Sequence, residues 1–203
     1  VINRAAFAPE SVPQTRQELI AAMRARPEVF RGKVGTYDVR DSGLGYLFAT
    51  QDARASETFW RLMEVMGGLD AQLYCCSGAM IDDLVAGELM VAYNVLGSYV
   101  AAREDVADML EIVLPLDFPT IMMRTAFVSS RTEVAEEAAA FVRHLVEMQT
   151  GQQSLEAFPL PPLSATTDST GQAVISLEPA LMTYLDPLKR RTFIKEWSSA
   201  VIQ

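Results

Sequence analysis

Residues 30–46 (FRGKVGTYDVRDSGLGY) constrain this chain most. They read as a strand, through Val34, Thr36 and Tyr37, that breaks at Asp41, Ser42 and Gly43 and opens a helix at Leu44. A strand feeding a Ser/Gly turn and then a helix start leaves backbone N–H groups aimed at one spot. The helix dipole adds partial positive charge there. The result is an anion or polar-ligand site that needs no catalytic side chain. The same device recurs at Cys76, Ser77 and Gly78. Little else in the chain offers covalent chemistry, so the reading is of a binding protein before an enzyme.

The chain has 203 residues, half of them hydrophobic and 21% charged, which permits a packed core in one large domain or two small ones. Its formal net charge of −9 argues against nucleic acid, whose phosphates demand a basic face. An anionic small ligand stays open, because local N–H groups outweigh net charge at short range. No apolar run approaches the roughly 18 residues that span a bilayer, so the protein is not expected to be membrane-embedded. No signal peptide is visible, and the opening VINRAAF is expected to be a processed or truncated start.

Cys75 and Cys76 are the two cysteines, and they are adjacent. A bridge between neighbours is strained, so they are expected to be strand-end residues facing opposite ways. Two thiols without a His/Cys cluster do not make a zinc site, and no metal or cofactor is expected. The sole histidine, His144, falls in a helical pattern and is expected on its surface.

The spacing predicts a strand at residues 1–3 and a loop over 9–13. Thr15 and Glu18 form a capping box that opens a helix through Ala25, ended by Pro27. A strand follows over 32–39, then a helix over 44–50 with Leu44, Leu47 and Phe48 on one face. The next helix, 56–66, carries Phe59, Leu62, Met63 and Met66 as a stripe and stops at Gly67 and Gly68. Strand 72–75 leads to a helix capped by Ser77 and ended by Gly87, then to a buried strand over 89–93. A turn over 94–98, a short helix with Tyr99, and strands at 112–114 and 121–128 complete this half. Thr132 caps the clearest helix, with Val134, Ala138, Phe141, Val142, Leu145 and Met148 at helical spacing. A short helix after Gly151 and a Pro-, Ser- and Thr-rich loop over 158–172 precede a last helix. Asp186 caps that helix, Pro187 starts it, and Leu188, Ile194, Trp197 and Val201 are its buried side.

Strands alternating with helices imply an α/β fold with a mostly parallel sheet and helices on both faces. In such sheets ligands sit beyond the carboxyl ends of strands, which nominates three turns: 41–46, 76–79 and 93–98. Ser42, Gly43 and Gly45 read either as ligand contacts or as a cap with tight packing. Ser77 and Gly78 carry the same two readings. Tyr93, Asn94 and Ser98 follow a buried strand, where the Tyr93 hydroxyl meets a ligand or its ring covers the core. Arg40 and Arg124 are the nearest cations, suited to a carboxylate or phosphate. Asp82 and Asp83 read as a wet helix face. Lys189, Arg190 and Arg191 read as solvated surface or, as the lesser reading, as a docking face. Met63, Met66, Met122 and Met123 read as core or strand residues rather than metal ligands. No G-x-S-x-G, P-loop or H-E-x-x-H occurs; a hydrolase built on Ser77 and His144 is the enzymatic alternative.

The order of motifs resembles a family. FRGKVGTYD is followed by FWRLM, then CSGAMIDDLVAGELMVAYNVLGSY, PTIMMRTAFVSS and TEVAEEAAAFVRHLVEMQTGQ. The series is similar to the extracellular solute-binding proteins of bacterial ABC importers, of the ferric-iron-binding type, over about residues 3–157. The resemblance implies a periplasmic-binding-protein-like fold whose two lobes close on a small solute, polar or anionic. It implies a periplasmic location, and an ABC permease or a signalling receptor as partner. It further implies residues 1–29 as crossover strand and linker helix, 30–125 as second lobe, and 126–203 as a mainly helical return to a first lobe whose N-terminal part is absent. Iron-binding members place two adjacent tyrosines where this chain has Asn94 to Ser98 flanked by Tyr93 and Tyr99. That departure favours a small organic anion, or another polar solute, over ferric ion, which stays an alternative.

Overall fold

The computed structural model describes residues 1–8, 11–122, 124–150, 173–175 and 179–202. In chain order the elements are β1 (Ile2–Asn3), α1 (Arg16–Ala25), α2 (Pro27–Phe30), β2 (Val34–Tyr37), α3 (Gly43–Ala55), α4 (Thr58–Gly67), β3 (Gln72–Tyr74), α5 (Ser77–Ala86), β4 (Val91–Ala92), α6 (Gly97–Ala101), β5 (Leu110–Glu111), β6 (Thr120–Ile121), α7 (Ala135–Gln149), β7 (Ala173–Val174) and α8 (Pro187–Val201). Two compact units result: Val1–Thr120 with Ser176–Gln203, and Ile121–Ile175.

In the first unit five strands lie in the order β3-β2-β4-β1-β5. β2 is parallel to both β3 and β4, with Tyr37 opposite Tyr74 and Gly35 opposite Ala92. β1 runs antiparallel to both β4 and β5. Four strands therefore share a direction and one opposes them, which makes the sheet mixed. All four residues of β2 are buried, as a strand covered on both sides requires. Val34 joins the main apolar core, while Tyr37, on the opposite face, meets Ser77 of α5. Helices therefore cover both faces.

α1 begins where its capping box places it. Thr15 Oγ1 accepts from the Glu18 N–H, and the Glu18 carboxylate accepts from the Thr15 N–H. Pro27 does not leave a loop; it opens the one-turn α2, where its missing N–H costs nothing. α4 buries the expected stripe of Phe59, Leu62, Met63 and Met66. It packs against α1 and α8. At Gly67 a Cβ would collide with the Ala200 carbonyl, so α4 ends in direct backbone approach to α8. Gly68 caps α4 with ordinary right-handed dihedrals, and Asp70, at φ 56°, makes the left-handed turn instead. α8 starts as expected, with Asp186 accepting from the Leu188 and Lys189 N–H groups. Its buried side is Phe193, Trp197 and Val201, and Leu188 is 65% exposed. The rings of Tyr46, Trp60 and Tyr184 surround Phe193 and fix the helix rotation.

α3 differs from expectation in length and in face. It runs to Ala55 and buries Gly45, Tyr46, Phe48, Ala49, Thr50 and Asp52, while Leu44 and Leu47 are only half-buried. The expected strands at 112–114 and 121–128 reduce to β5, which ends at Glu111, and β6, which ends at Ile121. Among the described residues no strand pairs with 112–114 or with 124–128, and Phe127 is 87% exposed.

In the second unit β6 pairs with β7, and the Ile175 N–H donates to the Ile121 carbonyl at 2.9 Å. α7 starts three residues after Thr132, whose hydroxyl accepts from the Val134 N–H at 3.3 Å. It buries none of its residues, although its apolar spacing is regular; Phe141 is 62% exposed. His144 is exposed on it, as expected. Met123, the short helix after Gly151 and the 158–172 loop lie outside the described residues.

Candidate functional site

β2 and β3 are parallel neighbours, so their carboxyl ends reach the same sheet edge. Each then turns into a helix start there, β2 into α3 and β3 into α5. The Asp38 N–H donates to the Tyr74 carbonyl at 2.8 Å and ties the two elbows together at their bases. β4, on the other side of β2, ends at the same edge and leads to Asn94 and α6. The three nominated turns thus belong to three adjacent, parallel strands.

At the first elbow Ser42 caps α3. Its hydroxyl accepts from the Gly45 N–H at 3.1 Å, and the residue is buried. Gly45 is where α3 leans on β2: a Cβ there would collide with Tyr37. Gly43 faces the other way, exposed, with open space where a Cβ would stand. Arg40 folds back on Asp38. Its Nε donates to both carboxylate oxygens at 2.8 and 3.1 Å, and Nη2 donates to one of them at 2.5 Å. These bonds hold the Asp38 carboxyl below its ordinary range, and part of the Arg40 charge is met before any ligand arrives.

At the second elbow the cap is Cys76, and Ser77 is the first helical residue. The Ser77 hydroxyl is buried against the Tyr37 hydroxyl. Burial raises the Tyr37 pKa, so the pair stays neutral. Gly78 repeats Gly43: it is exposed, with open space at its Cβ position. Gly43 and Gly78 therefore stand exposed at the two helix starts, while the serine hydroxyls beside them are engaged inside the fold.

At the third elbow the side chains face inward. The Tyr93 hydroxyl, buried, accepts from Arg16 Nε at 2.6 Å and donates to Asp52 Oδ2 at 2.6 Å. Burial, followed by the Asp52 charge, drives the Tyr93 pKa well above its ordinary value. Asn94 takes a left-handed conformation, φ 64°, and its amide donates to the same Asp52 oxygen at 3.1 Å. Ser98 is half-buried within the five-residue α6. Arg124 is exposed and belongs to the second unit.

Arg16 and Asp52 are the residues that sequence reasoning passed over. Asp52 is fully buried and accepts from Arg16, Tyr93, Asn94 and Thr120, the first and last at 3.4 and 3.1 Å. Arg16 also donates to Asp117 and to the Phe118 carbonyl, both at 3.1 Å, and its guanidinium lies 3.6 Å from the Phe118 ring centroid. The network fixes α1, α3, the β4 elbow and residues 117–120 against one another. Its hydrogen-bonded partners are 36 to 102 positions apart in the chain, so no local pattern signals it.

The cysteines correct the expectation directly. Cys75 and Cys76 are bonded to each other, with Cα atoms 3.8 Å apart. β3 ends at Tyr74, so neither residue follows the strand alternation that would aim the side chains apart. Both are exposed, beside Gly78. Among the described residues no group of three His, Cys, Asp or Glu side chains is placed to hold a metal ion, and no helix is long and apolar enough to cross a membrane.

No protein-family model matches the chain, and no curated protein matches its sequence. Among solved structures it is similar to the substrate binding protein of an ABC transporter from Agrobacterium tumefaciens. The TM-score is 0.85 at 25% identity, over 98% of this chain and 62% of that one. The mixed α/β sheet and its helices thus match a substrate-binding-protein fold. The chain spans under two thirds of the length of the protein it matches.

Proposed function

We propose that this chain binds a small, polar, anionic solute and delivers it to the permease of an ABC importer. Solute binding, rather than catalysis, is its role. The observation that carries the reading is the match of nearly the whole chain to a substrate-binding protein. The two open helix starts support the place. Their N–H groups and dipoles favour negative charge, and a ligand held by main-chain donors needs no titrating side chain. On this reading Gly43 and Gly78 admit the solute to the N–H groups. Ser42, Gly45 and Ser77 shape the elbows from inside, and Tyr93, Asn94 and Ser98 shape the third. Arg40 adds charge beside the first elbow, and Arg124, on the second unit, is a further candidate cation for the solute. The solvent-exposed disulfide fits an oxidising compartment such as the periplasm.

Ferric ion fits less well, because the Tyr93 hydroxyl is committed to Arg16 and Asp52. A sensor role toward a signalling receptor uses the same site and differs only in partner. Thermal-shift screening against small carboxylates, phosphates, ferric salts and neutral sugars tests the reading. An anion at a hundred times its Kd is expected to stabilise the fold by about 2.7 kcal/mol. Stabilisation by neutral sugars alone, or by nothing in the panel, would contradict it.

A further inference from the structure

We infer that Cys75 and Cys76 form a reversible thiol–disulfide exchange site, and that its reduction closes the N-terminus of α5 with the protein's own sulfur. Cys76 is the cap residue of α5 and has extended backbone, φ −145° and ψ 146°, yet makes no side-chain capping bond. Thr15, Ser42 and Asp186 stand at the same position of α1, α3 and α8, and each accepts N–H bonds from its own helix. Cysteine is serine with sulfur in place of oxygen. Its sulfur is bonded to Cys75 and makes no capping bond. The neighbouring helix start, one strand away, shows what a free acceptor does there: Ser42 takes the Gly45 N–H.

Both cysteines are exposed, so a dithiol reductant reaches the bond. One of its thiolates attacks a cysteine sulfur and forms a mixed disulfide, releasing the other cysteine sulfur as thiolate. The second thiol of the reductant then displaces the first cysteine. The protein gains two electrons and two protons, and the reductant leaves as its own disulfide. Cys76 is then free at a helix N-terminus, where thiolates are favoured, and it takes the N–H groups of Gly78 and Ala79. The sequence of two adjacent cysteines before a helix start is thus a removable cap. Oxidation keeps the N–H groups open, and reduction fills them.

The consequence for solute rests on the function proposed above. A solute that uses these N–H groups competes with the Cys76 sulfur. It should bind the oxidised protein at least about tenfold more tightly, the worth of one hydrogen bond to a charged group. Two readouts separate this inference from that reading. The first needs no solute: the amide resonances of Gly78 and Ala79 are followed by NMR as dithiothreitol reduces the folded protein. Both are expected to move, to return on reoxidation, and to sit near their reduced positions in the Cys76→Ser variant. In Cys76→Ala, which lacks an acceptor, they are expected not to. Amides that stand still, or a bridge that excess dithiothreitol leaves intact in the folded protein, would overturn the inference. The second readout is the affinity of any anion found by thermal shift, with and without dithiothreitol. Equal affinity in both states would overturn the link to solute and leave the binding reading standing. Failure of every anion to bind, with the amides moving as described, would sink the binding reading and uphold the cap.

Discussion

Asp52 is a carboxylate with no exposed surface, and four donors close on it from α1, the β4 elbow and residue 120. A buried charge is tolerated when each lone pair is met, and becomes costly when one side of the pair is removed. Asp52→Ala leaves Arg16 buried beside an empty acceptor. It should cost about 3–5 kcal/mol, read from the urea midpoint at unchanged slope. A loss under 1 kcal/mol would mean that the network is slack. At Asp38 the prediction concerns pH. Its folded pKa is depressed by Arg40, so the stability it adds is complete above the ordinary value of about 3.9 and is lost as pH falls through the depressed one. Arg40→Ala should raise the Asp38 pKa toward the ordinary value, as followed by the carboxyl carbon shift in an NMR titration. An unchanged pKa would assign the depression to something other than the guanidinium.

At the scale of elements, local chemistry made some parts legible before any coordinates. The Thr15 and Glu18 box, the Asp186 and Pro187 start, and the α4 stripe each depend on residues within two turns of one another, and each appears as read. α3 was less legible. Gly45 is buried because it lets β2 come close, and Asp52 because it finds four partners, and neither reason shows as hydrophobic spacing. The expected strands at 112–114 and 121–128 have propensity, but among the described residues only Ile121 finds a strand partner there. The cysteine bridge is not legible, because the strain of bonding neighbours argues against it and the strand ends at Tyr74, before either cysteine. Of the candidate site, the two elbows were legible as turns. The inward commitment of Ser77 and Tyr93 was not, since Tyr37 and Arg16 lie 40 and 77 residues away. Gly67 offers the cleanest packing test. Its hydrogen is the only side group that fits against the Ala200 carbonyl, so Gly67→Ala should destabilise by about 1–3 kcal/mol despite alanine's better helix propensity. Calorimetric melting reads it. A rise in Tm would show that α8 does not sit as described.

At the scale of the molecule, parallel β2 and β3 put two helix starts at one edge, with Gly43 and Gly78 exposed at them. If the chain binds an anion as proposed, the net charge of −9 opposes that anion at long range, and short-range main-chain donors at the two elbows have to outweigh it. The amides of Gly43, Leu44, Gly78 and Ala79 report on it together. The decisive measurement is an NMR titration of the oxidised protein with the anion that gives the largest thermal shift. All four amides should move along one saturation curve. Saturable binding that leaves these four resonances where they began would contradict the account.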